Sequence, residues 1–452
     1  MPKPTALSGF PELLPAERFV EQQVLATLAD TFELHGFANL ETRAVEPMDQ
    51  LLAKGETSKE VYVLKRLQDE GTGDAGMGLH FDLTVPFARF VLENAGKLDF
   101  PFRRYQIQKV WRGERPQAGR FREFTQADID VVGRDTLAFH HDVEVARVMA
   151  EALSRLSFLP GFRIQVNNRK LIQGFYAGLG APDPLTVMQI VDKLDKLPGD
   201  KITELLVVDG KLTPEQAELT LALARISSDD TGFVDQVRAL GVADPLLEEG
   251  LAELAAVIEG CAGITSDRVR VVADLSIARG LDYYTGTVFE TRLDGFEGLG
   301  SICSGGRYDA LASDGRTTYP GVGISFGVSR TLVPLLAAGA VAASRSVPSA
   351  VLVALADEES RPRADAIATQ LRANGTPTEV APRPDKFGKQ IRYAERRGIP
   401  FVLFSTDNDH GDGGAEIKDI RSGDQFPIDP ATWTPPAEDL RPTITTMQET
   451  PQ

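Results

Sequence analysis

Residues 111–133 read WRGERPQAGRFREFTQADIDVVG, and the organisation of the chain turns on how this stretch is read. Over 124–132 the residue types alternate with a period of two, which predicts a strand, because successive strand side chains point to opposite faces. Thr125, Ala127, Ile129 and Val131 then make one small, mostly apolar face, and Phe124, Gln126, Asp128 and Asp130 make the other. An aromatic ring beside an amide and two carboxylates suits a pocket that stacks a base and binds a cationic or hydrogen-bonding ligand. An exposed antiparallel strand with a polar outer face has the same pattern. Upstream, Arg112 and Glu114 share a parity on the segment leading in, and the loop 115–120 can bring further guanidinium groups over the same place. Arginine forks match phosphate oxygens two at a time. Phosphoryl and adenylyl transfer depend on positioning and charge more than on covalent catalysis.

Outward from this stretch, a four-residue recurrence of Val20, Val24, Leu28 and Phe32 predicts a helix over 17–35. Strand-like pieces are expected at Val61–Leu64, His80–Val85, Tyr105–Trp111 and Phe124–Val132, then a helix over 138–157. Residues 165–262 read as a mostly helical insertion. Strands return at Val269–Asp274, Thr287–Leu293, Gly300–Cys303 and Gly321–Phe326, with a helix starting near Ser329. The Ala-, Gly- and Ser-rich run 338–346 reads as a linker. Beyond it, strands at 350–356, 376–380 and 401–404 alternate with helices at 360–373 and 386–397, the mark of a small α/β domain with a largely parallel sheet. From about Pro427 the tail lacks an apolar period and is expected to be flexible. The expected domains are therefore 1–337, a linker at 338–346, 347–427, and a tail at 428–452.

A chain of 452 residues is too long for one core. Its 42% apolar and 25% charged residues have the balance of a globular protein. No apolar run reaches the ~18–20 residues that cross a bilayer, and the N-terminus lacks an export signal. The only cysteines are Cys261 and Cys303, and the five histidines show no metal-ligand spacing, so no protein-bound metal site is expected. A cytoplasmic location follows as the expectation. With 48 basic and 65 acidic residues the net charge is −17, which repels a polyanion on average. Locally the sign reverses: Arg103, Arg104, Lys109, Arg112, Arg115, Arg120 and Arg122 stand against the single acid Glu114. Such a run can hold a phosphate backbone, although taken alone it reads as a solvated charged face.

Trp111-Arg112-Gly113-Glu114 followed by Arg120-x-x-x-Phe124 resembles motif 2 of class II aminoacyl-tRNA synthetases. The resemblance implies that Arg112 holds the α-phosphate of ATP, Glu114 the adenine amino group, Arg120 the γ-phosphate, and Phe124 the adenine ring. Arg115 and Gln117 would meet the tRNA acceptor end. Residues 279–286, RGLDYYTG, are similar to the signature of the histidyl-tRNA synthetases, and Gly305–Asp309 to that family's Gly-Gly-Arg-Tyr-Asp element. On that likeness Arg279 is, with Arg112, a catalytic arginine that neutralises the α-phosphate, and Tyr283, Tyr284 and Tyr308 line the imidazole pocket. The glycines would let backbone approach the amino acid. Residues 321–330 resemble motif 3, with Arg330 over the adenine opposite Phe124. In the eukaryote-like form of the family, the stretch 82–89 implies that Asp82 and Thr84 take the α-amino group, assisted by Gln126, with Asp130 reading the imidazole. Lys386 and Lys389 fall in a segment resembling the family's anticodon-binding domain. The expected fold is thus an α+β catalytic domain built on an antiparallel sheet with a helical insertion, plus a C-terminal α/β anticodon-binding domain. The expected partners are L-histidine, ATP with Mg2+, tRNA(His) and a second copy of the chain.

Two positions depart from the family pattern. Arg43 occupies the place of the motif 1 proline, and Ser329 the place of a glutamate before Arg330. Two other readings compete. A non-catalytic, histidine-sensing paralogue of the synthetase would lack the anticodon domain and have degraded signatures. A plain nucleic-acid-binding protein would leave Asp82, Gln126 and Asp130 without a purpose.

Overall fold

Nine strands hydrogen-bond into the main sheet of the computed structural model, which describes residues 5–52, 60–66, 76–194, 196–278, 280, 283–406 and 414–446. In chain order they are β1 (Ala38–Asn39), β2 (Phe102–Trp111), β3 (Glu123–Val132), β4 (Phe162–Asn168), β5 (Ser227–Ser228), β6 (Val269–Asp274), β7 (Thr287–Leu293), β8 (Cys303–Ser313) and β9 (Thr318–Gly327). Across the sheet the order is β1-β2-β3-β9-β8-β7-β4-β6-β5. The run from β2 to β4 is antiparallel throughout, and parallel pairing occurs only between β1 and β2 and between β4 and β6. Main-chain pairing thus makes the expected antiparallel α+β domain.

β3 lies inside this sheet with both edges paired, and from Ala127 to Val132 both of its faces are buried. Ala127, Ile129 and Val131 are fully buried, and Asp128 and Asp130 are nearly so. That removes the reading of an exposed strand with a polar outer face. The helix His140–Ser154 packs on β9 and β3 through an element whose Val145, Val148, Met149 and Leu153 are buried, the stripe its sequence period requires. Burying each such side chain stabilises by about 1.5–3 kcal/mol.

His80–Val85 does not form the expected strand. Met77–Leu79 pairs with Val45–Pro47 and with Val63–Leu64, and the chain then turns into the helix Thr84–Asn94. Asp82 accepts from the Val85 N–H at 2.9 Å, satisfying a helix-start donor, and Pro86 sits in the first turn, where its missing N–H costs nothing. A short apolar run before a proline is compatible with a strand or a helix start, and the Asp82 bond to the Val85 N–H supports the helix start.

After β4 come helices at Arg169–Gly178, Pro184–Val191, Gly199–Val208, Pro214–Ala224, Phe233–Arg238 and Pro245–Cys261. Three of them open with one device: Asp183, Thr213 and Asp244 cap the helix N-terminus and a proline follows.

The chain divides into two compact units, Met1–Pro11 with Val24–Pro334 and Glu12–Gln23 with Leu335–Gln452. In the second, strands Thr378–Val380, Val351–Val353, Phe401–Thr406, Gly414–Asp419 and Gln425–Ile428 lie side by side in that order. The first three are parallel and the last two antiparallel, so the sheet is mixed where a largely parallel one was expected. Seven residues separate Thr406 from Gly414 and five separate Asp419 from Gln425, fewer than the dozen or so that a parallel crossover demands. Val341–Ala343, within the expected linker, pairs with Ile444–Thr446 from the expected flexible tail. Trp433 packs edge-on against Phe401, 5.4 Å between ring centres. The tail is held there by one aromatic, a backbone ladder and the Asp439 ion pair with Arg421 at 2.7 Å, none of which produces an apolar period. Among the described residues no helix is long and apolar enough to cross a membrane.

Candidate active site

The β2–β3 hairpin runs in uninterrupted register from Phe102 opposite Val132 to Trp111 opposite Glu123. Its loop closes through reciprocal backbone hydrogen bonds between Gln117 and Arg120, with Gly119 at φ +70°, a left-handed conformation that glycine adopts without steric cost. Arg115, Gln117 and Arg120 are exposed on this loop. Arg112 lies 5.2 Å over the Phe124 ring and donates through Nε to the Phe81 carbonyl at 3.0 Å. Glu114 stands between Arg112 and Arg120, 3.9 and 3.8 Å from their guanidinium nitrogens. Arg330 reaches the same hollow from the helix Val328–Ala337 and is anchored at 3.0 Å on the Leu299 carbonyl. Arg112, Glu114, Arg120, Phe124, Gln126 and Arg330 all line one cavity of about 210 Å³. Ser329 accepts from the Thr125 N–H at 2.9 Å, tying the helix start to β3, while Leu299 does the anchoring of Arg330.

Beside this hollow lies a slot closed by tyrosines. Asp130 receives a hydrogen bond from the Tyr308 hydroxyl at 2.8 Å. Arg104 Nη2 stands 2.7 Å from the other Asp130 oxygen, an ion pair in contact without hydrogen-bond alignment. The Tyr308 ring is 5.6 Å from that of Tyr283, which is 5.0 Å from Tyr284. Burial first, then the charge of Asp130, raises the Tyr308 hydroxyl well above its ordinary pKa, so it stays a donor. Gln126 donates to the Ser325 hydroxyl at 2.6 Å. Asp82 is close enough for its charge to act on Tyr283, Tyr284 and Asp128. Thr84, half-buried, opens the helix behind it.

The glycines around the slot have a role within the fold itself. A Cβ on Gly306 would come within 2.7 Å of the Tyr284 ring, one on Gly321 would overlap Tyr308, and one on Gly323 would overlap Asp130. They clear space for the slot's own side chains. Arg279 lies outside the described residues. Beside it, Gly280 at φ +67° takes both the Tyr283 and Tyr284 N–H groups on its carbonyl, folding the two tyrosines back into the slot. Cys303 is buried, and burial raises its thiol pKa far above the range of a nucleophile.

Two residues of the slot escaped the sequence reading. Arg104 was counted only in the basic run, yet the hairpin register sets it opposite Asp130. Asp128 is on the expected polar face, where the sequence gives it no role separate from that of Asp130, and burial pushes its carboxyl up to about 7. The signal for both was the hairpin register, since residue pairs across β2 and β3 follow once its closing pair is known.

Residues 9–331 match the family model for histidyl-tRNA synthetase. The chain belongs to the histidyl-tRNA synthetase family. Residues 349–432 match the model for an anticodon binding domain. The histidine–tRNA ligase of Cutibacterium acnes is 58% identical over 447 residues, 97% of this chain and 98% of that one. That of Thermobifida fusca is 49% identical over 434 residues, 95% of this chain and 98% of that one. The crystal structure of histidyl-tRNA synthetase from Nostoc sp. superposes with a TM-score of 0.83 at 34% identity, covering 94% of this chain and 96% of that one.

Within this synthetase fold the two departures have local explanations. Ser329 satisfies a β3 backbone donor, as above. Arg43 pairs at 3.1 Å with buried Glu46, which Arg89 also holds at 2.8 Å, so the half-exposed side chain helps compensate an interior carboxylate. In the C-terminal unit Lys386 immediately precedes the helix Phe387–Arg397 and is exposed, as is Lys389. Lys389, Arg383, Arg392, Tyr393 and Arg396 line a cavity of about 440 Å³. The buried Gln390 bonds both the N–H and the carbonyl of Leu355, fixing that helix to the sheet.

Proposed function

We propose that this chain activates L-histidine with ATP as histidyl-adenylate and transfers the histidyl group to the 3′ end of tRNA(His). One observation carries the reading: three stretches far apart in sequence, 104–130, 280–308 and 321–330, meet on one face of the sheet as an arginine-lined hollow beside a carboxylate-and-tyrosine slot.

In the first step a histidine carboxylate oxygen forms a bond to the α-phosphorus, and the bond to pyrophosphate breaks. Arg112 and Arg279 would neutralise charge on the α-phosphate, Arg120 would hold the γ-phosphate, and the adenine would lie between Phe124 and Arg330 with Glu114 at its amino group. Asp82, Thr84 and Gln126 would take the α-amino group. Asp130, paired with Arg104, would accept the imidazole N–H, and Tyr283, Tyr284 and Tyr308 would enclose the ring. In the second step a terminal ribose hydroxyl attacks the adenylate carbonyl, AMP leaves, and the hydroxyl proton is released. Arg115 and Gln117 on the hairpin loop would meet the acceptor end, and Lys386 and Lys389 the anticodon arm.

Mg2+ would enter with ATP. Glu114 is the single carboxylate lining the hollow, and among the described residues no three potential ligands converge, so the donor set fits an ion carried on the phosphates. We further propose a homodimer acting in the cytoplasm. The sensing-paralogue reading fits less well with a chain that keeps Arg112, Tyr283, Tyr284 and an anticodon-domain match. Histidine-dependent exchange of pyrophosphate into ATP, followed by charging of tRNA(His), tests the whole reading. Exchange with no amino-acid selectivity, or none at all, overturns it.

A further inference from the structure

One carboxyl on the polar face of β3 has no part in the chemistry above. Asp128 lies two residues from Asp130 on the same face and is 3% exposed. It stands opposite Gln106 on one side and Ser325 on the other. Arg104, fully buried, is the cation facing both carboxyls. Its Nε and Nη1 have no hydrogen-bond partner among the described residues, and neither has Asp128 Oδ1. Among the described residues Arg104 is the one cation that acts on both carboxyls where water is excluded: it pairs with Asp130 at 2.7 Å, and its charge reaches Asp128 without an ion-pair contact. With both ionised, one buried negative charge goes uncompensated, which is costly, and one retained proton removes that cost.

We propose that Asp128 is a positioning residue of the amino-acid slot: as a neutral acid it leaves Arg104 to Asp130, and as a carboxylate it draws Arg104 away and loosens Asp130's hold on the imidazole. This rests on the reading of Asp130 as the partner of the imidazole N–H. The groups facing Asp128 come from every neighbouring element: Arg104 from β2, Asp130 on β3, Ser325 from β9, Cys303 from β8, Tyr284, and Asp82 ahead of the helix Thr84–Asn94. Only Arg104 among them is cationic. Burial, the largest influence, together with Asp130 and Asp82 outweighs Arg104 and the Ser325 hydroxyl, so the proton leaves at about pH 7.

The test is histidine-dependent pyrophosphate exchange by the full chain and by Asp128→Asn, whose amide stands in for the neutral acid. KM for histidine, KM for ATP and kcat are measured from about pH 6 to about pH 8.5, a range that brackets the proton loss. In the native protein KM for histidine should rise about fivefold more across that range than in Asp128→Asn, the loss of one modest hydrogen bond. Titration of free histidine affects both proteins alike and cancels. KM for ATP and kcat should follow one profile in both. Parallel histidine profiles overturn the inference, as does an Asn variant that is weaker for both substrates at every pH. Should Asp128→Asn fail to fold, the native protein decides: the infrared carbonyl band of a buried protonated carboxyl must fade across the same range, and its absence throughout sinks the idea. A native protein without histidine-dependent exchange would instead remove the proposed function itself, a result separable from parallel profiles in an active enzyme.

Discussion

Asp130 shows how much one residue depends on neighbours distant in sequence. Its carboxylate is kept by Arg104 and Tyr308, and the room it occupies exists because residue 323 has no side chain. Gly323→Ala is expected to displace the Asp130 carboxylate, raising KM for histidine by about tenfold or more, the scale of one lost hydrogen bond to a charged group. KM for ATP should change far less, and an equal rise in both would show that the β-carbon is accommodated elsewhere. For Arg279 the expectation comes from the family signature. Arg279→Ala should lower pyrophosphate exchange by about two to three orders of magnitude while ATP still binds, since a preorganised charge acts chiefly on the transition state. Substantial exchange by that variant would take the residue out of its role.

At the scale of the element, sequence was a good guide where a single local rule governs. Val269–Asp274 and Thr287–Leu293 are strands over the residues their patterns predict, and the helices at Arg361–Ala373 and Phe387–Arg397 fall where expected. It failed where two rules compete, as at residues 80–85, where an apolar run and a capping aspartate point to different structures. Helix pairing in the insertion was not legible, because the period marks a buried face without naming its partner. The helices Arg169–Gly178 and Pro245–Cys261 cross at reciprocal glycines. A Cβ on Gly250 would overlap the Leu171 backbone, and one on Gly174 the Leu247 backbone. Gly250→Ala should therefore force the helices apart and destabilise by about 1–3 kcal/mol, read as a lower urea midpoint. An unchanged midpoint would mean that the two backbones do not approach so closely.

Across the whole molecule a charge of −17 and a polyanionic partner coexist because the net charge and the local field are different quantities. If the exposed Lys389 meets tRNA phosphates, affinity for tRNA(His) should fall with added salt, and Lys389→Ala should weaken binding and flatten the dependence of log K on log salt by about one unit or slightly less. Equal slopes for the two proteins would place that lysine away from the nucleic acid. By itself the sequence determined the class of fold, the identity of the motifs and the face of β3 on which Gln126, Asp128 and Asp130 lie, because local period and residue type are properties of neighbours along the chain. Only the tertiary structure decided that Asp130 is paired with Arg104, that the motif glycines make way for Tyr284, Tyr308 and Asp130, and that Asp128 is buried beside that pair. Those outcomes depend on strand register and burial, which arise when distant segments exclude water from one another.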